Sequence, residues 1–87
     1  MGKFLHKVAK AARLSKDPRR TMVKLILSAH GWRNPWRSAA WYPPGSDVTF
    51  GTPISVEALQ RRGFGFIADQ LLSVENMLTN WAKAVRE

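Results

Sequence analysis

Apolar positions recur at helical spacing in several stretches of the chain, and one long segment between them has no period at all. Over residues 3–15, Phe4, Leu5, Val8 and Ala12 share one helical face, while Lys3, Lys7 and Lys10 share the opposite one. A second helix is predicted over residues 18–30, with Met22, Val23, Ile26, Ala29 and His30 on its apolar side. Asp17-Pro18 opens it: the carboxylate accepts a first-turn N–H, and proline fits the first helical position. Gly31 closes it, because a left-handed terminator is tolerated best at glycine.

Residues 31–52 contain Trp32, Trp36, Trp41, Tyr42 and Phe50 among Pro35, Pro43 and Pro44. The prolines forbid a long helix, and five large aromatics argue against disorder. This segment reads as an irregular arm that lies against something and inserts its rings. Thr52-Pro53 repeats the capping signal and predicts a short helix over residues 53–62, after which Gly63 and Gly65 loosen the chain. The final helix, about residues 66–85, has the clearest pattern. Ile67, Leu71, Val74, Leu78, Trp81 and Val85 fall within an arc of about 80° at helical spacing, opposite Asp69, Asn76, Thr79, Asn80 and Lys83. Such a one-sided helix suits a protein groove or a membrane surface. The expectation is an all-α, extended chain of three to four helices joined by a Trp/Pro-rich irregular arm, with no independent globular core. Its regions are a basic amphipathic part (residues 1–30), the arm (31–52) and a C-terminal amphipathic part (53–87), all within one subunit.

At 87 residues the chain buries only about 60–65% of its unfolded surface, and proteins this small usually draw stability from disulfides, metals or partners. Cysteine is absent, which excludes disulfides and thiolate metal sites. His6 and His30 are too few for a structural zinc site. Partners are the remaining source, so the chain alone is expected to be partly unfolded or to aggregate. Nothing in the sequence assembles a nucleophile, a close acid pair or a His/Asp/Ser set. His30 sits near a helix end, where a capping or solvated histidine is the plainer reading. Gly63-Phe64-Gly65-Phe66 lacks the strand and lysine of a phosphate loop. No catalytic, cofactor-binding or metal-binding residue is assigned, and the chain reads as a non-enzyme.

Charge sharpens this picture. Residues 1–37 carry ten Lys/Arg against the single acid Asp17, whereas residues 38–87 carry four against five. A cationic half can face nucleic acid, anionic lipid headgroups or an acidic protein surface. The first 16 residues, basic and free of acids, read like a mitochondrial targeting segment. No run reaches the roughly 20 apolar residues a spanning helix needs.

The most specific string is Gly31-Trp32-Arg33-Asn34-Pro35-Trp36-Arg37, followed by Ala40-Trp41-Tyr42. Arginine stacks on indole or pairs with carboxylates, and Asn-Pro favours a turn that fixes where the rings point. The residues admit two readings, a tryptophan-rich miniature core under the loop or an intermolecular anchor. The second is preferred because the rest of the chain offers little core. Here the sequence resembles a family of accessory proteins, subunit three of the beta subcomplex of mitochondrial NADH:ubiquinone oxidoreductase, in the membrane arm of respiratory complex I. That family has a lysine-containing helix ending in Ala-x-Gly, a Gly-x-Arg-Asp-Pro-Trp turn and a following Ala-Trp step. Lys24 to Gly31, Arg33-Asn34-Pro35-Trp36 and Ala40-Trp41-Tyr42 resemble these, with Asn34 in place of the acid. Gly63-Phe64-Gly65-Phe66-Ile67-Ala68 resembles, in compressed form, the segment leading into the family's single membrane helix. After Ala68 the likeness ends, because Asp69, Gln70, Glu75 and Asn76 interrupt what is an apolar span in the family.

The resemblance implies a non-catalytic subunit supporting assembly and stability, located at the mitochondrial inner membrane with the basic half facing the matrix. Its last helix would lie at the surface or in a protein-lined position, since a charge at bilayer depth is costly. Its partners would be other subunits of a large membrane complex and anionic lipid headgroups. Trp32, Arg33, Pro35, Trp36, Arg37, Trp41 and Tyr42 would form one partner-binding surface, and Ile67, Leu71, Val74, Leu78 and Trp81 a second. Two alternatives stay open. One is a mitochondrial ribosome accessory protein that places the same cations on rRNA. The other is a peripheral membrane-binding protein that works through the first and last helices.

Overall fold

The computed structural model describes residues 2–34, 40–45 and 51–86. Three residues, 15–17, connect the first two helices, so α1 (Gly2–Leu14) and α2 (Pro18–Ala29) pack directly on one another. Asp17 caps α2 as its sequence predicts, its carboxylate accepting the Arg20 N–H at 3.2 Å, with Pro18 at the first helical position. The end of α2 is equally well defined. His30 is the C-cap, Gly31 adopts φ +84°, and two hydrogen bonds close the turn: Gly31 N–H to Ser28 C=O at 3.1 Å and Trp32 N–H to Leu27 C=O at 3.0 Å. This is a Schellman motif, in which the residue after the left-handed glycine meets the side chain at the start of the last turn. Trp32 and Leu27 are both buried.

The short helix α3 (Val56–Arg61) ends in the same way. Gly63 has φ +86° and donates to Gln60 C=O at 3.2 Å, while Phe64 donates to Leu59 C=O at 2.8 Å. The glycine expected to loosen the chain instead fixes it, and α4 (Gly65–Arg86) starts directly after the motif. Trp32 and Phe64, in equivalent positions of the two motifs, pack edge to face with ring centroids 4.8 Å apart and planes at 74°. Phe64 also lies 6.4 Å from Phe66.

The start of α3 differs from its sequence reading. Thr52-Pro53 is not a cap but the strand β2 (Thr52–Pro53), paired antiparallel with β1 (Ala40–Trp41) through Ala40↔Pro53 and Trp41↔Thr52. The buried Thr52 hydroxyl is occupied by the Arg62 guanidinium at 3.1 Å, and Ser55 caps α3 by accepting from the Ala58 N–H at 3.1 Å. The arm is therefore less irregular than expected. Arg33 and Tyr42 exchange both backbone hydrogen bonds, at 3.0 and 2.8 Å, just before this two-residue ribbon.

The architecture is all-α, with four helices among the described residues. Helix α4 touches α1, α2 and α3, and is the element that unites them. Arg19 near the start of α2 reaches Glu75, and His30 at its end reaches Gln70, so α2 runs antiparallel to α4. The expected absence of an independent core is corrected. Val8, Ala9 and Ala12 of α1, Met22, Val23, Ile26 and Leu27 of α2, Leu59 of α3, and Ile67, Ala68, Leu71 and Val74 of α4 form one buried cluster together with Trp32. Three of these residues are alanines, Ala9, Ala12 and Ala68, whose small side chains let helix backbones approach closely, which a count of large apolar residues does not register. The molecule is nonetheless elongated, 48 × 23 × 21 Å, with a radius of gyration of 13.5 Å. A compact chain of this length would have roughly 12 Å. The 22 residues of α4, about 33 Å long at helical rise, exceed either short dimension of the molecule.

Because both glycines hold left-handed backbone, Gly31→Ala and Gly63→Ala should each lower stability by about 1–2 kcal/mol in urea unfolding. An alanine double-mutant cycle on Trp32 and Phe64 should return a coupling of about 0.5–1.5 kcal/mol. A coupling near zero would show that the two helix ends act independently.

Candidate functional site: the cationic outer face of the first helix

The structure sorts the residues expected to bind partners into three groups. Trp32 is 4% exposed and sealed between α2 and Phe64, so its expected role as an intermolecular anchor is corrected: the ring serves the chain's own core. Ile67, Leu71 and Val74 are likewise buried against the other helices, and for these three the expected place on a second partner surface is corrected for the same reason. Leu78 and Trp81 extend that core as half-buried neighbours, as does Trp41 from the ribbon. Tyr42 is half-buried and bridged to Arg33, whose side chain is exposed. Pro35, Trp36 and Arg37, with Phe50 of the arm, lie outside the described residues.

Arginine does stack on indole here, but within the chain. The Arg13 guanidinium lies 5.1 Å from the centre of the Trp81 ring, tying the end of α1 to the end of α4. Arg19 pairs with Glu75 at 2.8 Å and donates to the Ile54 carbonyl at 3.1 Å. With side chains 53% and 38% exposed, that pair contributes at most about 1 kcal/mol. His30 takes the helix-end position read from its sequence, with Nε2 2.8 Å from Gln70 Oε1 and its ring edge-on to Phe66 at 5.5 Å. Among the described residues no three His, Cys, Asp or Glu side chains come together to hold a metal ion.

What faces outward is mainly cationic. Lys3, Lys7, Lys10 and Lys16 are exposed, as are Arg20 and Lys24 of α2, and Arg19–Glu75 is the one salt bridge among the described residues. The rotation of α1 is set by Val8, Ala9 and Ala12, which point into the core. Lys3, Lys7 and Lys10 therefore point away from it, and at 100° per residue Leu14 falls in the same outward arc of about 60°. Leu14 is 73% exposed, and Phe4 stands partly exposed at the margin of the arc. Leu14 was not singled out from the sequence, although its spacing from Lys3, Lys7 and Lys10 placed it on their face. Phe66, 54% exposed beside His30, is a second outward apolar side chain that the helical arc did not include.

No described helix is long and apolar enough to cross a membrane. No protein-family model matches the chain, and neither a curated protein nor a solved structure matches it.

This geometry separates core from surface among the apolar residues. Ile67→Ala should cost about 2–5 kcal/mol, whereas Leu14→Ala should stay within about 0.5 kcal/mol of the wild type. Urea midpoints for the two variants check this; similar losses would mean that Leu14 is covered.

Proposed function

We propose that the chain is a non-catalytic accessory subunit of the membrane arm of mitochondrial respiratory complex I. It would support assembly and stability at the inner membrane, with its basic half on the matrix side. The observation that carries this reading is the pairing of the described ends of the family-like string. Gly31 ends α2, and just beyond that helix end the backbones of Arg33 and Tyr42 pair antiparallel, which brings the described ends of the string, Arg33-Asn34 and Trp41-Tyr42, together. That pairing holds the backbone of the exposed Arg33 in place, as a docking residue requires.

Two further features support a surface position. The polar interruptions of α4 at Asp69 and Asn76 are exposed on a helix whose apolar side is occupied by the chain's own core. The cations of α1 and α2 are suited to the matrix side, where positive charge is retained. With Trp32 inside the core, partner contact in this reading falls to Arg33, to the string's remaining residues and to the cationic helices.

The test is to tag the chain in its native cells, solubilise gently and resolve the complex on a native gel with an in-gel NADH dehydrogenase stain and mass spectrometry. Co-migration with the active complex I band is the expected outcome. Co-migration with ribosomal proteins and rRNA would overturn the proposal and assign the basic half to nucleic acid.

A further inference from the structure

We infer that the outer face of α1 docks on an anionic phospholipid bilayer surface. The inference deepens the membrane-surface position proposed above and rests on it for the source of the bilayer. Its physical basis is the arc of Lys3, Lys7, Lys10 and Leu14. That arc runs about 16 Å along the helix and is fixed outward by the burial of Val8, Ala9 and Ala12.

Charge complementarity selects the occupant. No acid lies on α1, and among the described residues none of these lysines is in a salt bridge, since the one there joins Arg19 to Glu75. Lys16, in the connection directly beyond the helix, is also exposed. Each lysine has a four-carbon stem that can lie along an apolar boundary while its ammonium stays among phosphates. Leu14, at 73% exposure, lies outside the core cluster and projects from the same arc, where it would enter the boundary between headgroups and acyl chains.

RNA fits this face less well. Single-stranded RNA is gripped by aromatic rings and guanidinium planes interleaved with the charges. The outward arc contains lysines and a leucine, and the one arginine of α1 is turned onto Trp81. Nor does α4 supply a second lipid-facing helix, because Ile67, Leu71 and Val74 are already covered.

The purified full-length chain would be sedimented with vesicles of phosphatidylcholine alone, or of phosphatidylcholine and phosphatidylglycerol in equal parts. Binding is expected only to the anionic vesicles. Lys7→Gln with Lys10→Gln should weaken it by about 30-fold, given the attraction of each lysine near such a surface. Leu14→Asn should weaken it by roughly 5- to 10-fold, as loss of one inserted aliphatic side chain does. Arg61→Gln with Lys83→Gln removes the same charge from α3 and α4 and should change affinity by less than about threefold, if position and not net charge decides. Circular dichroism would confirm that each variant keeps its helicity. Equal losses from the two double variants, or no preference for anionic vesicles, would overturn the inference. So would binding of single-stranded poly(U) that the Lys7/Lys10 change abolishes while vesicles are ignored. Complex membership is read separately on the native gel, so either idea can fail without the other.

Discussion

The edge-to-face contact of Trp32 with Phe64 ties together two chain reversals that are remote in sequence, and most of the remaining geometry follows from it. Each ring is the residue after a left-handed glycine, and each glycine ends a helix whose last turn begins with a buried leucine, Leu27 or Leu59. The backbone bonds of the two Schellman motifs set where the rings emerge, and burial of the rings sets how α2 and α3 sit relative to each other. Because α4 begins immediately after the second motif, its direction is inherited from the same contact. Helix α1 then closes the remaining side, held by Val8, Ala9 and Ala12 and by Arg13 over Trp81.

Much of this was legible. The spacing that ends α2 at Gly31 recurs around Gly63, as Leu27-Ser28-Ala29-His30-Gly31-Trp32 and Leu59-Gln60-Arg61-Arg62-Gly63-Phe64. The second instance was obscured because Thr52-Pro53 imitates a helix start, which displaced the expected helix and left Gly63 without an evident task. Only the folded chain shows that the Thr52 hydroxyl is taken by Arg62, a partner ten positions later, so that Ser55 becomes the cap. The ribbon of β1 and β2 was not legible at all: two-residue strands carry no period to read. For α1 and α2 the apolar faces were placed within about one residue. Ala9 and Leu27 were omitted while Phe4 and Ala29 were included, because spacing alone does not fix which edge of an apolar stripe neighbouring helices will cover.

The outward expectation for Trp32 fails for a related reason. The tryptophan string was assigned outward because the rest of the chain seemed to offer too little core to use it. Large side chains alone understate the core, because Ala9, Ala12 and Ala68 are each fully buried. Once those contacts exist, a pocket between α2 and the α3–α4 turn is ready to receive an indole, and Trp32 fills it. The reading of the last helix fails in the same way, since a one-sided helix needs a covering surface but does not say whose. Here α1, α2 and α3 of the same chain supply it. Among the described residues, what faces outward is therefore charge more than aromatic surface.

That charge has an internal cost, which gives it meaning. Lys3 and Lys7 are four residues apart and Lys7 and Lys10 three, so both pairs are neighbours on the helix surface, separated by less than the roughly 8 Å over which physiological salt screens. Each like-charged pair disfavours the helix by about 0.2–0.5 kcal/mol, and α1 has no acid to offset either. A single glutamate at Lys7 would turn both repulsions into attractions without touching the core, because that position points away from Val8, Ala9 and Ala12. Stability alone therefore argues against the lysine arc, and the exposed Leu14 within it adds a second local conflict. Conflicts of this kind, concentrated on one face while caps, core and turns agree with one another, are what a binding surface looks like before its partner is in place.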